Sequence, residues 1–270
     1  MGFGNVSERR MQPPQIGVSV VVLALGPDEH DGTPGTLWMP LVKRVREPFL
    51  GRWALPGGSL ISGKSLEQAA YEALSSTTDL RPQYLEQLYT FGDPKRSSSG
   101  LPMVSIAYWA LVGGVESVDF TTTTNVQWFS EKHLPELAFD HRRIVDFALT
   151  RLRHNVAYPR VASRLIGERF TLAQLHRVFE AVTGSEIDVA NFRRKMLASG
   201  QLEETGDKIR EGRQRPAMVY RYCKQEHHDA DALHGWTQEE LRTLEDAAEA
   251  SDDDNAAIIP LMPWANPITR

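Results

Sequence analysis

Apolar residues run without a break through most of IGVSVVVLAL, residues 16–25, and many of them are β-branched. A continuous run this short, followed by the loop composition GPDEHDGTPG, predicts a strand buried on both faces. TLWMPLVKRV predicts a second strand, with Pro40 placing an edge or a bulge in it. Across the next stretch the period changes. Leu66, Ala69, Ala70, Ala73 and Leu74 recur at helical spacing, so a helix follows the turn-rich REPFLGRWALPGG. YLEQLYTFG and MVSIAYWALVGG predict strands around the loop DPKRSSSGLP. VQWFS predicts a short strand, and HRRIVDFALTRLRHNV a closing helix. Strands with one central loop–helix and a final helix imply a mixed α/β sandwich.

A different grammar begins at residue 169. FTLAQLHRVFEAVTG carries Thr171 as N-cap with Gln174 three residues on, a capping box. Leu172, Leu175, Val178, Phe179 and Val182 form its apolar stripe, and Gly184 ends it. A second helix starts at Asp188 and stops near Gly200. QLEETGDKIREGRQRPAMVYRY then predicts two strands joined by a basic turn. Helix, helix and hairpin in this order are those of a winged helix-turn-helix. The expected organisation is a flexible arm over 1–14, a sandwich over 15–155, a winged helix over 156–225 and an acidic tail with one short helix over 226–270.

Composition sharpens this picture. The 270 residues suffice for two modest domains, and 41% hydrophobic content supports buried cores. The longest apolar run is too short to span a bilayer, so no membrane partner is expected. Cys223 is the only cysteine, which excludes an internal disulfide and suits the cytoplasm. Charge is uneven along the chain. Residues 151–225 carry 15 Lys/Arg against 8 Asp/Glu, net +7, within a chain of formal net charge −5. A basic block of this kind is the footprint of a nucleic-acid contact. The acidic end, with SDDDN, is either a solvating tail or a mimic of DNA.

The loop–helix beginning at Gly58 resembles the Nudix signature, G-x5-E-x7-R-E-U-x-E-E-x-G-U, whose glutamates hold a divalent ion on a diphosphate. The resemblance is one of frame. Lys64 stands at the first Glu, Glu72 at the Arg and Ala73 at the next Glu. Ser76 and Thr77 replace the Glu pair, and Asp79 replaces the Gly. Glu67 and Glu72, five residues apart, point roughly 140° apart on a helix and cannot share one ion. No metal site, no cofactor and no pyrophosphatase activity are therefore expected. Gly57 and Gly58 still let backbone N–H groups approach an anion.

The stretches VKRVREPFLGRWALPGG, YTFGDPKR, VSIAYWAL, VQWF and LPELAFDHRRIVDFALTRLR, followed by NFRRK and RPAMVYR, resemble the NrtR family, Nudix-related transcriptional regulators of NAD metabolism. The resemblance covers roughly residues 15–222. It implies a homodimeric repressor that binds double-stranded operator DNA of NAD biosynthesis or salvage genes and senses a nucleotide effector, typically ADP-ribose. The alternative is an active Nudix pyrophosphatase with an appended DNA-binding domain.

Candidate ligand-binding residues are Arg44 and Arg46 as phosphate forks, and Gly57 and Gly58 as the anion turn. Lys95 and Arg96 are candidates for a diphosphate clamp. Phe49, Trp53 or Phe139 offers a surface for adenine. Asp140 and His141 offer bonds to ribose hydroxyls, although His141 equally suits a structural bond at a helix start. For DNA, Asn191, Arg194 and Lys195 share one face of the second helix, while Val189, Phe192 and Met196 make the face that docks on the preceding helix. Asn191 and Arg194 suit base edges or nearby phosphates, and Arg193 and Lys195 the backbone. Arg213 and Arg215 fall at the expected wing tip, in reach of phosphates or the minor groove.

Overall fold

A computed structural model describes residues 13–27, 34–78, 80, 82, 85–96, 102–113, 124–156, 159–210 and 216–223. The N-terminal residues 1–12, Asp79, the wing-tip arginines Arg213 and Arg215, and the acidic tail lie outside the described residues. Packing divides the chain into two units. The first contains the described residues within 1–22, 39–110 and 120–144. The second contains the described residues within 23–38, 111–119 and 145–270.

In the first unit, β1 (Gln15–Pro27) and β6 (Met103–Val112) provide the most buried positions. Their runs are apolar on both faces, and Val20, Val21, Ala107 and Trp109 are essentially inaccessible. The Ser19 and Ser105 hydroxyls, the polar exceptions there, bond each other at 3.0 Å. Hydrogen bonding orders the strands β3 (Trp53–Ala54), β2 (Pro34–Lys43), β1, β6 and β5 (Glu86–Phe91). Beside this path β4 (Gly57–Ser59) pairs with β1, and β7 (Val126–Ser130) pairs with β2. β2 keeps register with β1 from Thr36 to Trp38, shifts it between Thr36 and Pro34, and pairs with β3 at Val42 and Lys43. Pro40, which has no N–H to donate, falls between those two stretches.

α1 (Leu66–Thr78) starts at its own capping box: the Ser65 hydroxyl accepts from Gln68 N–H and the Gln68 side chain accepts from Ser65 N–H, both at 3.1 Å. Of the helical stripe expected from the sequence it buries Ala69, Ala70 and Leu74, while Leu66 and Ala73 are half-buried. α2 (His141–Asn155) closes the element order of this half.

The second unit holds α3 (Pro159–Ile166), β8 (Phe170–Thr171), α4 (Leu172–Thr183), α5 (Val189–Ala198), β9 (Leu202–Ile209) and β10 (Ala217–Tyr222). The capping box of Thr171 and Gln174 is formed. Gly184 ends α4 at φ 67°, where its N–H donates to Glu180 O. Asp188 caps α5 by accepting from Asn191 N–H at 2.7 Å. Strands β8, β10 and β9 form an antiparallel sheet in that order, and Phe170, Leu175, Phe179, Phe192 and Val219 fill the core. At Gly113, just past β6, the chain lies against the Leu165 carbonyl of α3, where a methyl group would collide. Among the described residues no helix is long and apolar enough to cross a membrane.

Candidate functional site

Strand β4 lies against β1 so closely that a Cβ on Gly57 would run into the Val18 carbonyl oxygen. Sheet packing therefore accounts for the glycine at 57, a different reason from the anion approach expected of it. Gly58 has open space where its side chain would be. Between this edge and α1 opens a cavity of about 470 Å³, whose wall includes Gly57, Gly58, Ile61, Lys64, Glu72 and Ser76. Within this wall the Lys64 ammonium donates to the Glu72 carboxylate. Glu67 is not part of this wall. With desolvation acting first, Glu67 raises the pKa values of Tyr71 and Tyr108. Ser75 and Ser76 donate to backbone carbonyls three residues back, and Thr77 to that of Ala73 at 2.6 Å.

This donor set does not fit the divalent ion of the Nudix signature. Such an ion takes about six oxygen ligands, with one or two free carboxylates fixing it beside the substrate's phosphates and several waters. Glu72, the one carboxylate in the wall described above, already faces a lysine, and among the described residues no group of three or more His, Cys, Asp or Glu is placed to hold a metal.

Several expected nucleotide contacts are committed elsewhere. Arg96 donates from Nε and Nη2 to both oxygens of Asp140 at 2.9 and 2.8 Å, and from Nη1 to Phe91 O at 2.7 Å. Its side chain is 6% exposed. The pair forms a buried fork between the loop after β5 and the start of α2, so the two side chains expected to meet a diphosphate and a ribose meet each other. His141 Nδ1 accepts from Leu55 N–H at 2.9 Å. Desolvation lowers its pKa to about 4, against the pull of Asp140 and with the help of Arg96 and Arg44, so the ring is neutral. The structural role for His141 is the one the geometry supports.

Arg44 is likewise occupied. Its Nε donates to Pro48 O at 2.8 Å and its Nη2 to Arg46 O at 3.4 Å, holding the 44–52 turn, and its guanidinium lies 4.5 Å from the centre of the Phe139 ring. Phe49 and Phe139 meet edge to face at 4.9 Å, and both have positive φ, 67° and 57°. L-residues rarely adopt that conformation, so this aromatic corner is held by its surroundings. Trp53 packs on Phe129. Arg46 and Lys95 are exposed and belong to no part of the cavity wall. The cavity charges, Lys64 and Glu72, were absent from the candidate ligand residues. The signal for them was present: these two positions carry Glu and Arg in the signature and carry Lys and Glu here, opposite in sign both times.

In the second unit the helix-turn-helix is pinned by His176, whose Nε2 donates to Ile187 O at 2.7 Å and whose ring meets Phe192 at 5.1 Å. Phe192 and Met196 dock α5, as their spacing implies. Val189 does not dock: at the first turn it is 54% exposed, beyond the end of that contact. Arg193 and Arg194 are exposed, Asn191 and Lys195 half-buried. Arg194 Nη2 donates to Asn191 Oδ1 at 2.9 Å, so the expected base-reading pair is brought together before any DNA arrives. Leu197, 49% exposed, lies on the open side of the same helix.

The sequence pattern of the NUDIX domain matches residues 15–147, and that of the NrtR DNA-binding winged helix domain matches residues 162–222. Fold and sites thus define a two-part transcription regulator, a Nudix domain followed by a winged helix that binds DNA. The chain is 32% identical over 198 residues, 72% of its length and 78% of the relative's, to the ADPR responsive transcriptional repressor NtrR of Acinetobacter baylyi. It belongs to the NrtR family. The crystal structure of Shewanella oneidensis NrtR complexed with a 27mer DNA is similar at TM-score 0.63 and 32% identity, covering 77% of this chain and 93% of that one. An ADP-ribose pyrophosphatase of Methanocaldococcus jannaschii is 33% identical over 105 residues, 39% of this chain and 62% of the relative.

Proposed function

We propose that this protein is a homodimeric, ADP-ribose-responsive repressor of NAD biosynthesis or salvage genes. It works in the cytoplasm, with residues 15–155 as sensor and 156–225 as the DNA-binding part. The observation that carries this reading is the similarity to a repressor of that responsiveness across both parts of the chain. The pairing of exposed Arg194 with half-buried Asn191 supports it, because an arginine fork suits guanine and asparagine suits adenine in the major groove. The loop–helix cavity is a binding site without hydrolysis, since its wall offers no set of acids for an ion beside an attacking water.

The test is a titration of the full chain onto DNA from upstream of NAD-metabolism genes, with and without ADP-ribose. The expected outcome is operator binding that saturating ADP-ribose weakens by about tenfold or more, a coupling of roughly 1–3 kcal/mol. Unchanged affinity would remove ADP-ribose as effector. The match to an ADP-ribose pyrophosphatase favours a second reading, hydrolysis by the same domain. Turnover of ADP-ribose with Mg²⁺ or Mn²⁺, abolished by EDTA, would establish it.

A further inference from the structure

Three of the positions that carry glutamate in the Nudix signature, Lys64, Ala73 and Ser76, line the one cavity described above. The fourth, Thr77, turns its hydroxyl onto the Ala73 carbonyl. An array of four carboxylates would repel a diphosphate, and in the signature the divalent ion offsets that repulsion. Here the acids are gone together with the donors an ion would need. The field that made the ion necessary has been removed as well. The pair at 64 and 72 is kept with its polarity reversed: the signature has an acid on the loop and a base on the helix, whereas here the ammonium sits on the loop beside the Gly57–Ser59 edge and the carboxylate on α1.

We propose that this cavity binds a nucleoside diphosphate directly, with no divalent ion, and that Lys64 supplies the positive charge with Glu72 as its resting partner. The proposal rests on the nucleotide-sensing function above. A cavity of about 470 Å³ is of the size that encloses small ligands. Lys64 is a flexible ammonium, 36% exposed, that can turn from a carboxylate to a phosphate oxygen at little cost. Glu72 then competes with the ligand for Lys64. Removing the two charges therefore acts in opposite directions on affinity. A mere staple between loop and helix would be weakened by either change alike.

The experiment is calorimetric titration of the full chain with ADP-ribose, once in EDTA and once in Mg²⁺. The expected result is the same Kd within about twofold in both. K64M weakens binding about tenfold or more, K64R keeps it near wild type, and E72Q tightens it. Thermal melting of each variant separates lost binding from lost folding, and K64R, which retains the charge, keeps the test decisive if K64M unfolds. Binding that appears only with Mg²⁺, or K64M and E72Q weakening affinity together, or K64M binding like wild type, overturns the proposal while leaving nucleotide sensing intact. No binding by the wild type in either buffer overturns nucleotide sensing itself.

Discussion

His141 shows how one residue can look like a ligand contact and serve the fold. Its Nδ1 accepts from Leu55 N–H and its neutral state is enforced by desolvation. In the unfolded chain the ring takes up a proton near pH 6.5, and in the folded protein only near pH 4. Between these values the unfolded state binds more protons, so stability falls as pH is lowered through that window, by about 1.4 kcal/mol per unit at most, and levels off below it. His141→Gln should keep an acceptor for Leu55 and flatten the difference between pH 6.5 and 5; denaturant titrations at both values measure it. Arg194→Ala, on the exposed side of α5, should instead leave stability unchanged and cost about 1–3 kcal/mol in operator affinity, concentrated at one base pair. Anisotropy titrations against single-base operator variants read this. A loss equal for all sequences would assign Arg194 to phosphate.

At the scale of elements, what was legible in the sequence is what obeys a local rule. The capping box at Thr171, the left-handed stop at Gly184 and the cap at Asp188 are written in short spacings and appear as read. The buried runs of β1 and β6 needed only continuity of apolar residues. What escaped depends on distant partners. No spacing tells that Arg96 will meet Asp140 forty-four residues away; its charge alone points to a phosphate. The two-residue strand β8 is too short to show a period, whereas α3 buries Val161, Ala162 and Leu165 at helical spacing and went unread. Val189 follows the stripe of Phe192 and Met196 in spacing but stays exposed at the first turn of α5. Gly57 was read as room for an anion, and the structure spends it on the approach of β4 to β1. Gly57→Ala should therefore separate those strands and lower stability by about 1–3 kcal/mol, the usual cost of forced backbone shifts. A chemical denaturation curve gives the value. A variant as stable as wild type would return Gly57 to the role of anion turn.

For the whole molecule, one chain carries a Nudix domain and a DNA-binding winged helix. Gly113 suggests how little slack the second unit allows. The backbone after β6 rests directly on the Leu165 carbonyl, and both partners in that contact are main chain. Side chains rotate and absorb small displacements; main chain seated on main chain has no backlash. A side chain at position 113 would have to displace that main chain, so the seat admits glycine and nothing larger.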